Sequence, residues 1–138
     1  MSNAKSIDTP SASNAHLFVA FAPKSAEEKA YMSRVPYANA VGSLMYAMVC
    51  TRPDLAQSVS MVSRFMGDLG KQHWQAVKRI FWYLKGTSDV GLIYGGVTEC
   101  LLSGYSKSDY VRDVDSRRSM TGYVFTLVGS VVSWKATL

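Results

Sequence analysis

Between Pro36 and Gly86 the chain carries three consecutive apolar stripes at helical spacing, and beyond Gly86 that spacing gives way to a period of two. This change of period constrains the fold more than any other feature. Val41, Leu44, Met45 and Met48 fall at i, i+3, i+4 and i+7, so they share one face of a helix. Leu55, Val59, Val62 and Met66 repeat the pattern, and Trp74, Val77, Phe81 and Leu84 give it a third time. Each stripe has to be buried against the others, which predicts a small antiparallel helical bundle.

The punctuation agrees with three helices. Thr51, Pro53 and Asp54 suit a helix start as cap, first-turn residue and acceptor for exposed amides. Gly67-Asp68-Leu69-Gly70 ends the second helix, and Gly86 suits the left-handed position after the third. Ahead of the bundle, Ser25 and Glu28 have the spacing of a capping box for one or two helical turns over Ala26–Met32. Residues 1–30, rich in Ser, Ala, Asn and Pro, read as an extended arm or linker, with 31–95 the helical region and 96–138 a strand region.

In the strand region, Val90–Tyr94, Leu101–Ser106, Ser119–Leu127 and Ser130–Thr137 are β-branched and aromatic runs bounded by Gly, Ser and Asp. The last two are separated only by Val128 and Gly129, so they predict an antiparallel hairpin with Tyr123, Phe125 and Leu127 on one face and Val124 and Thr126 on the other. Val128 is a poor residue for such a turn if the position needs positive φ. The fold class expected is therefore α+β, a helical bundle followed by an incomplete antiparallel sheet of three to four strands with an exposed edge.

Composition limits the function classes. At 138 residues the chain suits one domain, or one small domain and part of another. A formal net charge of +5 permits attraction to nucleic acid. Cys50 and Cys100 make no disulfide framework and read as two buried thiols, which points to an intracellular protein, cytoplasmic or nuclear. No apolar run approaches the ~20 residues needed to span a bilayer, so no membrane partner is expected. His16 and His73 have no Cys, Asp or Glu at ligand spacing, so no metal and no cofactor is implied.

Two charged patterns remain. Lys71, Gln75, Lys78, Trp82 and Lys85 follow at steps of four, three, four and three, so three lysines and an indole line one helical strip. Such a strip reads either as a solvated lysine face or as a contact for a phosphate backbone with the indole stacking on a base. The segment from Lys107 to Asp115 holds Asp109, Asp113 and Asp115, but it lacks the turn glycine and terminal glutamate of a calcium loop. With Arg112, Arg117 and Arg118 nearby, it reads as a charged loop with local ion pairs. No Ser-His-Asp or Cys-His arrangement and no phosphate-cradling glycine motif is present.

Longer stretches carry a resemblance. VGSLMYAMVCTRPD from Val41, HWQAVK from His73, YLKGTS from Tyr83 and RRSMTGYVFTL from Arg117 occur in that order, and the chain resembles the Pol polyprotein of plant copia-type LTR retrotransposons from about Met1 to Leu138. The resemblance implies that 31–95 is similar to the thumb and connection at the end of reverse transcriptase. It implies that 96–138 is similar to the truncated start of an RNase H domain. The polymerase fingers and palm would precede Met1, and most RNase H carboxylates would lie beyond Leu138. The family's first RNase H aspartate falls at Lys107, after Tyr105 and Ser106, and an ammonium there removes a ligand and repels Mg²⁺. Leu69, Arg79, Trp82, Val111-Arg112 and Val128 also depart from the family pattern.

The resemblance thus implies no catalytic residue and no enzyme activity. It implies possible non-specific contact with an RNA or DNA duplex through Lys71, Lys78, Trp82 and Lys85. The alternative is a domesticated module that binds a protein partner through its exposed strand edge.

Overall fold

A computed structural model describes residues 7–11, 22–67, 69–96, 100–113 and 118–137, with 109–113 and 118 described by backbone alone. It has four helices and a three-stranded antiparallel sheet, an α+β fold: α1 (Ala26–Ser33), α2 (Tyr37–Cys50), α3 (Ala56–Val62) and α4 (Lys71–Gly86), then β1 (Leu102–Asp113), β2 (Arg118–Leu127) and β3 (Ser130–Thr137) in the order β1-β2-β3.

The core is a seam shared by α2, α3, α4 and the 3-10 turn Pro53–Leu55. Tyr37, Val41, Leu44, Leu55, Val59, Val62, Val77 and Ile80 close it, and all are almost wholly buried. Val41, Leu44, Leu55, Val59, Val62 and Val77 are where periodicity puts them. Met45 and Met66 are not: both are about half exposed, Met45 because it lies on the flank of α2 and Met66 because α3 has already ended at Val62. On α4 the buried face is centred on His73, Val77 and Ile80, so Trp74, Phe81 and Leu84 are half-buried shoulders. The Tyr37 hydroxyl donates to the Val62 carbonyl at 2.8 Å, tying the start of α2 to the end of α3, and burial raises its pKa.

The helix ends differ from expectation in instructive ways. Ser25 Oγ accepts from the Glu28 amide at 3.1 Å, as a capping residue should, but the Glu28 carboxylate turns to the Lys71 amide instead of completing the box. Thr51 caps nothing; the 3-10 turn starts from Arg52 without a side-chain cap, with Pro53 in its first turn. Gly86 is the last residue of α4, not a left-handed residue beyond it, and Thr87 follows at φ −129°. The Asp54 carboxylate takes a backbone amide, as expected, and is also engaged by Arg52.

That pair forms a clamp. Arg52 is 6% exposed, and its guanidinium donates to Asp54 Oδ1 and Oδ2 at 3.0 and 2.7 Å and to the carbonyl and Oγ1 of Thr87 at 3.0 and 2.7 Å. Tyr83 donates to Asp54 Oδ2 at 2.8 Å, and the Arg52 guanidinium lies 5.4 Å from the Tyr83 ring centre. The clamp joins the end of α2 to the end of α4. Burial alone would raise the Asp54 pKa, but the bonds from Arg52 and Tyr83 and the Arg52 charge outweigh it, so the carboxyl titrates below its ordinary value.

The sheet follows the expected hairpin. β2 and β3 are joined by Val128 and Gly129, both at positive φ, 50° and 81°. Gly129 adopts this freely, whereas a β-branched residue there is strained. β1 runs to Asp113, so Lys107 to Asp113 continues a strand where a loop was expected. It pairs with β2 through an irregularity between Asp109 and Asp113. Val90–Tyr94 is not a strand. Gly91 lies within it and Gly95 and Gly96 follow it, and side chains hold it: Tyr94 donates to the Val131 carbonyl at 2.9 Å and Ser130 to the Ile93 carbonyl at 2.7 Å.

Register assigns the faces. Tyr123, Phe125 and Leu127 share the outer face with Leu102, Gly104 and Ser106, while Val124, Gly122, Trp134 and Ala136 face the helices. β3 packs on α3, and Trp134 Nε1 donates to the Met48 carbonyl at 2.8 Å, in the last turn of α2 where carbonyls lack helical donors. Both cysteines are exposed, contrary to the buried reading, because Cys50 closes α2 on its outward side and Cys100 lies in the connection before β1.

Two outcomes are expected. Asp54→Asn leaves Arg52 buried without its counter-charge and costs about 2 kcal/mol in urea unfolding, less than a fully buried pair because Asp54 is 31% exposed. Because the Asp54 pKa is depressed on folding, its contribution is present above the ordinary aspartate value. It is lost as pH falls from about 4 downward, and the Asn variant lacks that part of the acid transition. Val128→Asn relieves the left-handed β-branched residue and raises stability by about 1 kcal/mol, read as a higher melting temperature.

Candidate nucleic-acid interface

α4 is amphipathic because its apolar and basic residues alternate at helical period. With His73, Val77 and Ile80 turned into the core, Lys71, Gln75, Lys78, Trp82 and Lys85 fall on the opposite side. Lys71, Gln75 and Lys85 are exposed; Lys78 and Trp82 are half-buried. From Lys71 to Lys85 the strip runs about 21 Å at 1.5 Å per residue, and the lysines recur every seven residues, about 10 Å apart. The reach matches about six phosphates of one strand.

Neighbours modify the Lys71 end and one flank. The Lys71 ammonium lies 5.9 Å from the Tyr31 ring centre, and the Lys71 amide donates to Glu28 Oε1 at 3.3 Å. α4 starts from Gly70, which has no side-chain oxygen to cap it, so a carboxylate from α1 fills that role at the positive end of the helix. Arg79, on the flank of the strip, donates from Nη2 to Thr9 Oγ1 at 3.1 Å, and its buried Nε has no hydrogen-bond partner among the described residues. Arg79 adds a fourth cation that the spacing argument passed over, although it stands four residues beyond Gln75. Glu28 and Tyr31 were not legible as neighbours, because the contact spans 43 residues of sequence.

His73 is a packing residue. It is fully buried, its Nδ1 accepts from the Gly70 amide at 3.1 Å, and its ring lies 4.4 Å from that of Phe65. His16 lies outside the described residues.

The second candidate region is the sheet around Lys107. Lys107 is exposed on β1 opposite Gly122. It borders a cleft of about 290 Å³ between the 3-10 turn and the sheet, whose other walls include Asp54, Gln57, Tyr105 and Trp134. The one carboxylate there, Asp54, is engaged by Arg52 and Tyr83. The side chains of Asp109, Asp113, Arg112 and Arg118, and the whole of Asp115 and Arg117, lie outside the described residues. The strip and Lys107 are therefore separate features: one is a cationic face, the other a cation in a cleft with no free carboxylate among the described residues.

Comparison with known proteins adds a different kind of observation. No protein-family model and no solved structure matches the chain. It is 50% identical over all 138 residues to the retrovirus-related Pol polyprotein from transposon TNT 1-94 of Nicotiana tabacum, of which it spans 10%. It is 37% identical over 100 residues to the corresponding polyprotein from transposon RE2 of Arabidopsis thaliana, of which it spans 7%. It is also 49% identical over 105 residues to the secreted RxLR effector protein 161 of Plasmopara viticola, covering 74% of that protein and 76% of this chain.

Proposed function

We propose that the chain is a segment of a retrovirus-related Pol polyprotein of a transposon, without catalytic activity of its own, that keeps a non-specific contact with nucleic acid through α4. In this reading the helices are the copia-type thumb and connection, and β1–β3 are the start of an RNase H sheet.

The observation that carries the nucleic-acid reading is the strip. Lys71, Lys78 and Lys85 stand on one side of a helix whose other side is locked into the core, so their spacing is held rigidly. Binding would come from release of counterions from phosphates, with little sequence preference. Trp82 would add stacking from its exposed part. The non-catalytic reading is supported by Lys107. An exposed ammonium on β1, where the family's first metal ligand would stand, opposes the binding of Mg²⁺ that two-metal phosphodiester cleavage requires.

A second reading is favoured by one observation. The effector-named relative is itself three-quarters covered by this chain, which supports a stand-alone role for such a segment, and the second reading takes that role to be protein binding. A complex that survives reversal of the lysine strip would decide for it.

Two measurements test the primary reading. Anisotropy titration of a short duplex is expected to give a log K against log salt slope of about −3, falling toward −1 in Lys78→Glu/Lys85→Glu. Equal binding and equal slopes in the variant would remove α4 from the interface. An RNA–DNA hybrid incubated with the purified chain and Mg²⁺ is expected to stay intact, and cleavage abolished by Asp109→Asn would overturn the non-catalytic reading.

A further inference from the structure

Of the four prolines in the chain, Pro10 alone follows a hydroxyl residue; the others follow Ala22, Val35 and Arg52. Thr9-Pro10 lies in segment 7–11, which is neither helix nor strand and makes no backbone hydrogen bond among the described residues. Thr9 is exposed, and the proline after it favours extended backbone. An exposed, extended Thr-Pro is the form in which a proline-directed kinase takes its substrate.

What sets this threonine apart is the group that holds it. Arg79, on the flank of α4, donates from Nη2 to Thr9 Oγ1 at 3.1 Å across 70 residues of sequence. Its Nε, on the same edge of the guanidinium as Nη2, is buried without a hydrogen-bond partner among the described residues. That edge is a two-pronged fork, used in full by Arg52 on the two oxygens of Asp54. On Arg79 one prong meets a neutral hydroxyl and the other meets nothing, a costly state for a donor out of water. No carboxylate among the described residues pairs with Arg79, that of Asp8 beside Thr9 included. A phosphate supplies what this fork lacks: two oxygens on one phosphorus for the two prongs, and a charge of about −2 for the guanidinium.

We propose that Thr9 is a phosphorylation site and that its phosphate docks on the Nε–Nη2 edge of Arg79, fastening segment 7–11 to α4. The co-reactants are ATP and a kinase of the proline-directed serine/threonine class. The bond from the γ-phosphorus of ATP to its bridging oxygen breaks, an Oγ1–P bond forms, the hydroxyl proton passes to the base of the kinase, and ADP leaves. Thr9 Oγ1 is the acceptor in its bond with Arg79, so the hydroxyl hydrogen takes no part in that bond. The phosphate is added to the atom that Arg79 already holds, and a neutral contact becomes a bidentate, charge-assisted one. Arg79 stands beside the lysine strip and not in it, so the proposal does not rest on nucleic-acid binding.

The test treats the full chain with a mitogen-activated protein kinase and ATP, places the phosphate by mass spectrometry and follows the Arg79 Nε–H signal by heteronuclear NMR. One phosphate is expected on Thr9, and none there in Pro10→Ala. On phosphorylation the Nε–H signal, identified by its absence from Arg79→Lys, is expected to move downfield. A protein phosphatase is expected to clear the phosphate about tenfold faster from Arg79→Gln than from wild type, the difference that loss of a charge-assisted hydrogen bond makes. Arg79→Lys should fall between them, since it keeps the charge and loses the fork. Far-UV circular dichroism should be the same for all three, and the Nε–H shift is read on wild type whether or not the variants fold. Absence of phosphate from Thr9, an Nε–H signal that stays in place, or equal dephosphorylation of three folded proteins would overturn the proposal.

Discussion

Everything in this molecule depends on a seam of eight side chains that α2, the 3-10 turn, α3 and α4 close between them. The shortest of these elements could not stand alone. α3 is seven residues long, and isolated helices below ~12–15 residues are marginal in water. Burial of the shared stripe makes them cooperative, since each removes the apolar face of its neighbours from water. The Arg52 clamp adds direction to this non-directional force. A guanidinium can be buried at the end of α2 only because Asp54, Tyr83 and Thr87 offer it acceptors and a ring, and in doing so it fixes where α4 ends.

The helical seam in turn carries the sheet. β3 is the strand that packs on the helices, and the Trp134 indole supplies the donor that the last turn of α2 lacks. The sheet therefore has one face against the helices and one face bare. The α4 strip is cationic and would act through long-range, salt-screened attraction to phosphate.

In the cleft beside Lys107 the one carboxylate described already serves Arg52. Asp54 thus belongs to the stability of the fold, and the depressed pKa reflects a structural ion pair rather than a group poised for proton transfer. A perturbed carboxyl in a cleft is a frequent sign of a functional site, but its partners decide which it is.

Local spacing along the chain determined the α+β class, the buried identities of Val41, Leu44, Val59, Val62 and Val77, the β2–β3 hairpin with its two faces, and the lysine side of α4. These follow from periods of 3.6 and two, which act within a few residues and need no partner. Tertiary structure alone decided what depends on distant groups. Met45 was left exposed on the flank of α2 and Met66 beyond the end of α3 at Val62, and the Glu28 carboxylate went to α4 because that helix lacked a cap of its own. His73 entered the core because Gly70 and Phe65 gave its ring a donor and a face. The Val90–Tyr94 run was kept out of the sheet, since its glycines weaken a strand and β3 offered hydroxyl and carbonyl partners instead. In each case the sequence states a preference, and the outcome rests on which partner, tens of residues away, reaches the group first in space.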